Sequence, residues 1–299
     1  MKVAITGSNG DLGGALRSRY PAYHTLRCID VKHTSPFNDG IEYLQADVCD
    51  LQALTNSIRG VDAVVHLAAI RSPDGAPPQT VFGINAQGTY NLTLACASLG
   101  INKIIFASSI CYYGYIFRKG FASPAYFPVD ESTRPEVEDS YSLSKLIGEN
   151  VMSAFVQRTG GSVISLRFAY LMRHGAAGSP DIPAAMADMP STEGAAKSWW
   201  TYVDLDDAAT SVWLALDYIT NTSSVHEAFN IGADDTHTTT PTIQLLAQFF
   251  PGADNHFVST LASTPHLALF SNHKARELLH FRPSEPTWRV AGNTHTEYL

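Results

Sequence analysis

Ser140–Lys145 reads SYSLSK, which sets Tyr141 and Lys145 four positions apart. Residues at i and i+4 share one helix face, so a phenol and an ammonium group become neighbours if this segment is helical. A free tyrosine, with a pKa of about 10, is a poor base near neutrality. A nearby ammonium favours the phenolate and lowers that value. The pair then suits proton exchange with a substrate hydroxyl. A hydroxyl donor to hold the substrate oxygen is expected at a neighbouring strand end, where FASSICYYG supplies Ser108 and Ser109. Ser109 is the candidate.

A second constellation lies near the start. ITGSNGDLGG spaces Gly7, Gly10 and Gly13 as G-x-x-G-x-x-G, after an apolar run and before a helical pattern. Glycines there permit a tight turn and let the backbone approach a pyrophosphate, which the positive end of the following helix attracts. The strand-turn-helix context gives the spacing its meaning. The next apolar run ends at Asp30, in CIDVKH. A carboxylate there accepts hydrogen bonds from the adenosine ribose and repels a 2′-phosphate, so NAD is expected rather than NADP. A bound nicotinamide would add positive charge beside Tyr141. Asp47 in ADVCD could meet the adenine amino group or cap a helix; spacing alone leaves both open.

These groups need a frame. Apolar strand-like runs at Lys2–Thr6, Leu26–Asp30, Glu42–Leu44, Ala63–Leu67, Lys103–Ala107 and Ser162–Phe168 alternate with helical patterns at Leu12–Tyr20, Leu51–Arg59, Val81–Leu99 and Tyr141–Arg158. That alternation predicts an α/β fold, a doubly wound parallel sheet covered on both faces. Beyond Phe168 the pattern loosens. Residues 176–197 read as a loop or lid, Trp199–Leu205 as extended, Asp206–Asp217 as a helix capped by Asp206 or Asp207, and Phe229–Gly232 as a strand. The expected division is a nucleotide-binding core over 1–168, and a region over 169–299 that completes it and forms a small substrate lobe. Lys274 and Arg276 read as a solvated helix face.

The chain has 299 residues, 45% hydrophobic and 16% charged, with a formal net charge of −8. Such a composition supports a large core and disfavours disorder and nucleic-acid binding. No apolar run is long enough for a bilayer, and Met1-Lys2 leads straight into strand-like sequence, so a cytoplasmic protein without a membrane partner is expected. Cys28, Cys49, Cys96 and Cys111 form no CxxC pair and read as reduced residues, with Cys111 in a packing role. His66, at the end of the fourth run, reads as a packing histidine. No metal site is expected.

Taken together, these motifs resemble the extended short-chain dehydrogenase/reductase family, of the NAD-dependent epimerase/dehydratase type. The resemblance implies a Rossmann core, with Gly7, Gly10, Asp11, Leu12 and Gly13 at the pyrophosphate, Asp30 at the ribose, Asp47 and Val48 at the adenine, and Ala68 and Ala69 under the cofactor. Asn85 matches a helix asparagine beside the active site, Ser109, Tyr141 and Lys145 match the catalytic set, and YVDLDDAA from Tyr202 matches a late signature. Asn9, Leu67, Ala107, Ser108 and Phe168 complete the expected cofactor surface.

The pattern is similar to the uronate dehydrogenase branch, through LAAIRS, FASSICYYGY and SWWTYVDLDD. Ile110-Cys111-Tyr112 stands where more polar residues are expected. The implied reaction is NAD-dependent oxidation of a small sugar or sugar acid, with Arg71, Ser72, Ile110, Arg173 and His174 as further substrate contacts. Only about thirty residues separate Phe168 from YVDLDD, which argues against a bulky nucleotide sugar. A nucleotide-sugar epimerase/dehydratase is the alternative, a non-catalytic NAD(H)-binding regulator is a third reading, and a homodimer is expected.

Overall fold

A computed structural model describes residues 1–32, 40–172, 189–255 and 258–284. The strands are β1 (Lys2–Thr6), β2 (Thr25–Asp30), β3 (Glu42–Gln45), β4 (Ala63–His66), β5 (Lys103–Ser109), β6 (Tyr126–Phe127), β7 (Ser162–Phe168), β8 (Tyr170–Met172), β9 (Tyr202–Asp204), β10 (His226–Ile231) and β11 (Asp254–Asn255). The principal helices are α1 (Asp11–Ser18), α2 (Leu51–Ser57), α3 (Pro78–Phe82), α4 (Gly88–Leu99), α5 (Ser140–Thr159), α6 (Glu193–Ala196), α7 (Leu205–Thr220), α8 (Thr242–Phe249) and α9 (His273–Leu278).

Seven strands form one parallel sheet in the order β10-β7-β5-β4-β1-β2-β3. Successive side chains on a strand point to opposite faces. Val3 and Ile5 of β1 therefore pack into one cluster with Leu16, Val212 and Leu216, while Ala4 joins the other with Leu92, Met152 and Phe155. Burial on both faces is why these strands read as unbroken apolar runs. The order reverses between β1 and β4, so connections leave that point in opposite directions and open a crevice at the strand ends.

The layer outside the sheet draws on both sides of position 168. β6 pairs with β11, and β8 with β9. Meanwhile α7 and β10 return to the main sheet and complete it.

Several expectations change in detail. The helix over Val81–Leu99 is broken: α3 and α4 are joined by a π turn at Gly83–Gln87 that carries Asn85. Such turns place an extra residue in the helix and often mark functional sites. Trp199 and Trp200 are not extended; both sit at left-handed φ, 56° and 49°, and both indoles are fully buried. Packing of two large rings offsets a backbone cost of about 1–3 kcal/mol each. The cap of α7 is Asp204, which accepts from the Asp206 and Asp207 amides at 2.7 and 3.4 Å. Asp207 instead accepts from the Ser284 amide and hydroxyl. Lys274 and Arg276 do not form a free solvated face: Lys274 pairs with Glu227 and Arg276 with Asp234. Residues 173–188, which include most of the expected lid, lie outside the described residues; its remainder carries the short α6.

His66 ends β4, fully buried, its Nδ1 2.7 Å from Thr6 Oγ1 and its Nε2 3.2 Å from Thr89 Oγ1. Thr89 donates its proton to the Asn85 carbonyl at 2.7 Å. Nε2 must therefore donate to Thr89, and in the neutral ring that burial favours Nδ1 is left to accept from Thr6. Burial, helped by the charge of Lys145, pushes His66 down to about 3 from 6.5. The folded state thus refuses a proton that the unfolded chain takes up. This contribution to stability is complete above pH 6.5 and is lost as pH falls toward 3. We expect a loss of about 2 kcal/mol between pH 7 and pH 5 from this group. Urea titrations at both pH values check this, and His66→Gln should flatten that part of the difference.

Candidate active site

A cavity of about 610 Å³ opens along the ends of β1, β4, β5 and β7. One wall is the turn from β1 to α1. Gly7 has φ +71°, and a Cβ there would stand 2.6 Å from the Ala68 nitrogen. At Gly13 a Cβ would meet the Ser8 carbonyl oxygen at 2.4 Å. Only glycine lets these backbones approach so closely. Gly10 is the N-cap of α1 and no side chain caps that helix. Gly7, Gly10, Asp11, Leu12 and Gly13 all line the cavity, so the positive end of the helix faces into it.

Beside this turn, Asp30 ends β2 and accepts from the Asn9 amide at 2.9 Å and the Lys32 amide at 3.0 Å. Two backbone donors hold its carboxylate at the strand end, where ribose hydroxyls would be read. Asp47 accepts from the Cys49 amide at 2.8 Å, while the cap of α2 is Asp50. Asp47 is therefore not the helix cap. Val48 packs where a Cβ at Gly88 would stand, 2.6 Å from its Cγ2. The chemistry of this strip, apolar at one end and acidic beside a capless helix, fits a dinucleotide.

The candidate reacting groups come from β5 and α5. Asp139 caps α5, its Oδ1 accepting from the Tyr141 and Ser142 amides at 2.9 and 2.8 Å. This cap sets the first turn and aims Tyr141 at the cavity. Asp139→Ala should lower stability by about 1 kcal/mol and loosen the turn; chemical denaturation measures it. Tyr141 is buried edge-on against Phe117, with ring centroids 6.2 Å apart. Ser109 accepts from the Cys111 amide at 3.1 Å. Tyr141, Lys145, Ser108, Ser109, Ala107 and Phe168 all line the cavity.

Lys145 does share the tyrosine's face, with Nζ 5.6 Å from the Tyr141 ring centre. It donates to the Ala107 carbonyl at 2.7 Å rather than to the phenol. Burial holds Lys145 down to about 8, against the pull of Cys111 and Glu149. Burial also pushes the Tyr141 phenol above its ordinary value, Cys111 adds to this, and the Ser109 hydrogen bond draws it back. So the simple expectation that Lys145 lowers the phenol does not hold here, because desolvation outweighs a charge aimed at a carbonyl. Cys111 is a buried, cavity-lining thiol pushed up to about 12, consistent with packing rather than reactivity.

Leu67, Ala69, Arg71, Ser72 and Ile110 also line the cavity. Arg71 is largely exposed and already paired with Asp11 at 2.6 Å, across the mouth of the glycine turn. Ala68 contributes its backbone beneath Gly7. Asn85 does not line the cavity. Its amide holds both backbone groups of Ile70, at 2.8 and 3.0 Å, and donates to Ser144 at 3.0 Å. It fixes the loop carrying Arg71 against α5. Arg173 and His174 lie outside the described residues. Sequence reasoning missed the opposite wall, Ile116, Phe117, Tyr170, Leu171, Met189, Ser198, Thr201 and Leu205. SWWTYVDLDD spans Ser198, Thr201 and Leu205, but no motif marks the other members, since the wall gathers from four separate segments.

The model of the NAD dependent epimerase/dehydratase family matches residues 3–232. An L-arabinose 1-dehydrogenase (NAD(P)(+)) of Haloferax volcanii is 30% identical over 176 residues, 57% of this chain and 67% of that protein. A uronate dehydrogenase of Pseudomonas syringae pv. tomato is 30% identical over 168 residues, 56% of this chain and 58% of that one. The chain thus matches only part of the length of these relatives. Among solved structures, a UDP-N-acetylglucosamine 4-epimerase from Bacillus cereus superposes with a TM-score of 0.68 and 26% identity, covering 96% of this chain and 95% of that one. Near-complete coverage of an epimerase removes chain size as a ground for separating the two activities. A cleft at the strand-order reversal whose lining fits a dinucleotide, Tyr141 and Lys145 on one buried helix face, and a family match over most of the sequence agree: the chain belongs to the NAD-dependent epimerase/dehydratase family.

Proposed function

We propose that this protein is a NAD-dependent dehydrogenase that oxidises one hydroxyl of a small sugar or sugar acid. The observation that carries the reading is the cavity that joins the glycine turn to Ser109, Tyr141 and Lys145. The L-arabinose and uronate dehydrogenases among its relatives support the reaction type. Bound NAD supplies the hydride acceptor. Ser109 holds the substrate oxygen, and Tyr141, as the phenolate that the positive charge of a bound nicotinamide would favour, takes the hydroxyl proton as the carbonyl forms. Lys145, its ammonium anchored on the Ala107 carbonyl 5.6 Å from the Tyr141 ring centre, would be the group to hold the cofactor's ribose. The burial that raises the phenol also excludes water from the transfer. Holding both reactants in one cleft removes much of the entropic barrier.

Asp30 at the ribose end favours NAD over its phosphorylated form. Arg71 would exchange Asp11 for a substrate carboxylate, a bidentate pairing that suits a sugar acid. Exposed Tyr90 on α4 and Leu143 on α5 support a homodimer through those helices. Four free cysteines support a cytoplasmic setting. The net charge of −8 supports small-molecule partners rather than nucleic acid, and among the described residues no helix is long and apolar enough to cross a membrane.

The test is NAD with a panel of aldoses, uronic acids and small alcohols, followed by absorbance of the reduced cofactor. Stoichiometric reduction with one sugar or sugar acid is expected. No reduction with any of them, together with interconversion of nucleotide sugars, would replace this reading with the epimerase.

A further inference from the structure

Glu149 and Arg167 are buried charges with no task in the chemistry above. Glu149 lies on α5, one turn beyond Lys145 and two beyond Tyr141. Arg167 lies on β7. Their side chains are 7% and 5% exposed. Arg167 Nε and Nη2 donate to Glu149 Oε1 and Oε2 at 2.9 and 2.8 Å. Oε1 also accepts from the Ser108 hydroxyl at 2.6 Å. Arg167 Nη1 donates to the Tyr113 hydroxyl at 2.9 Å, and the guanidinium lies 3.5 Å from the Tyr112 ring centre. Tyr113 in turn donates to Asn230 on β10 at 2.8 Å. The carboxylate therefore ties α5 to β5 and β7, and the guanidinium extends the tie to the turn after β5.

As a stabiliser such a pair is inefficient, since desolvation cancels much of its attraction and apolar side chains of equal volume often hold a fold as well. Its contacts instead converge on the elements of the site. Ser108 sits between Ser109 and Ala107, whose carbonyl anchors Lys145. We infer that the Glu149–Arg167 pair is the positioning device of the site: it sets the strand end Ala107–Ser109 against Tyr141 and Lys145, and keeps a counter-charge beside the lysine.

The roles of Ser109, Tyr141 and Lys145 rest on the function proposed above. Among the described residues, the titratable groups around Lys145 are Tyr141 and Glu149 on α5, His66 on β4 and Cys111 in the turn after β5. His66 is neutral and Cys111 is held protonated. Asp139 acts on Tyr141 and Cys111 from the start of α5. Glu149 is thus the anion of this group that opposes the burial of Lys145.

The test compares wild type with Glu149→Gln, Glu149→Asp and Ser108→Ala as full-length proteins. The ε-carbon resonance of ¹³C-labelled lysine, assigned with Lys145→Met, reads the Lys145 proton in the protein without cofactor or turnover. Lys145 should titrate at lower pH in Glu149→Gln, and as in wild type in Ser108→Ala and Glu149→Asp. With substrate, kcat should fall about tenfold or more in Ser108→Ala and Glu149→Gln, a misplacement effect, while KM for NAD stays within about twofold. Ser108→Ala removes one hydroxyl and leaves the ion pair intact, so it reports on positioning even if Glu149→Gln does not fold. Undiminished kcat in Ser108→Ala overturns the inference. So does an unmoved Lys145 titration in folded Glu149→Gln. Failure of wild type to oxidise any sugar would instead defeat the proposed function, while the lysine titration would still decide on the counter-charge.

Discussion

Tyr141→Phe should reduce kcat by roughly a thousandfold, within the range expected when a general acid–base group is removed. The ring remains, so its edge-on packing against Phe117 survives and the fold should be undisturbed. Only the hydroxyl is lost. The proton of the substrate hydroxyl then has no acceptor that Ser109 can align. The dissociation constant for NAD, measured by calorimetry, should stay within about twofold, since the glycine turn and Asp30 are untouched. A variant with more than about a tenth of wild-type kcat would remove Tyr141 from the chemistry. A variant that turns over slowly and also binds NAD poorly would give the phenol a cofactor-binding role. The same substitution separates an enzyme from an NAD(H)-binding regulator, whose function would survive it.

The second large effect is expected at the other end of the cavity. Gly7→Ala adds a methyl group where the Ala68 nitrogen already stands 2.6 Å away, on a backbone at φ +71°. The left-handed conformation costs a non-glycine residue about 1–2 kcal/mol. Overpacking adds roughly 1–3 kcal/mol more. The turn must move, and it is the surface proposed to receive the pyrophosphate. NAD affinity should drop by about a hundredfold, with a melting temperature several degrees lower. Gly60→Ala is the control: it is also at positive φ, +77°, but a Cβ there meets nothing within 4 Å. It should lose stability without losing NAD. Equal loss of NAD affinity in both variants would mean that backbone strain, rather than the shape of this turn, governs binding.

The parallel sheet was readable because strands buried on both faces must be apolar throughout. The glycine turn and the Tyr141–Lys145 pair were readable for a related reason. Each is local, with its spacing set by one turn or one helix. Features built by long-range assembly left no such trace. Nothing in the sequence pairs Glu149 with Arg167, and only the packing of α5 on β5 and β7 brings them together. The far wall of the cavity draws Ile116 and Phe117 from one connection, Leu171 from β8 and Met189, Ser198 and Thr201 from others. Asp204 displaced Asp206 and Asp207 as the cap of α7 because acidic candidates so close in sequence differ only in backbone geometry. The phenol's environment was misjudged because helical spacing reports which groups are neighbours. It does not report where the ammonium points, and Lys145 points to Ala107.

The central claim is that one dinucleotide lies along the strand ends, from Asp30 to Tyr141. A crystal structure with NAD soaked into the protein tests it most directly. We expect the pyrophosphate on the turn from Gly7 to Gly13, the adenosine ribose on Asp30, and the nicotinamide beside Tyr141 and Ser109. NAD bound with its nicotinamide end away from Tyr141, or a pyrophosphate held elsewhere than on the glycine turn, would contradict the account.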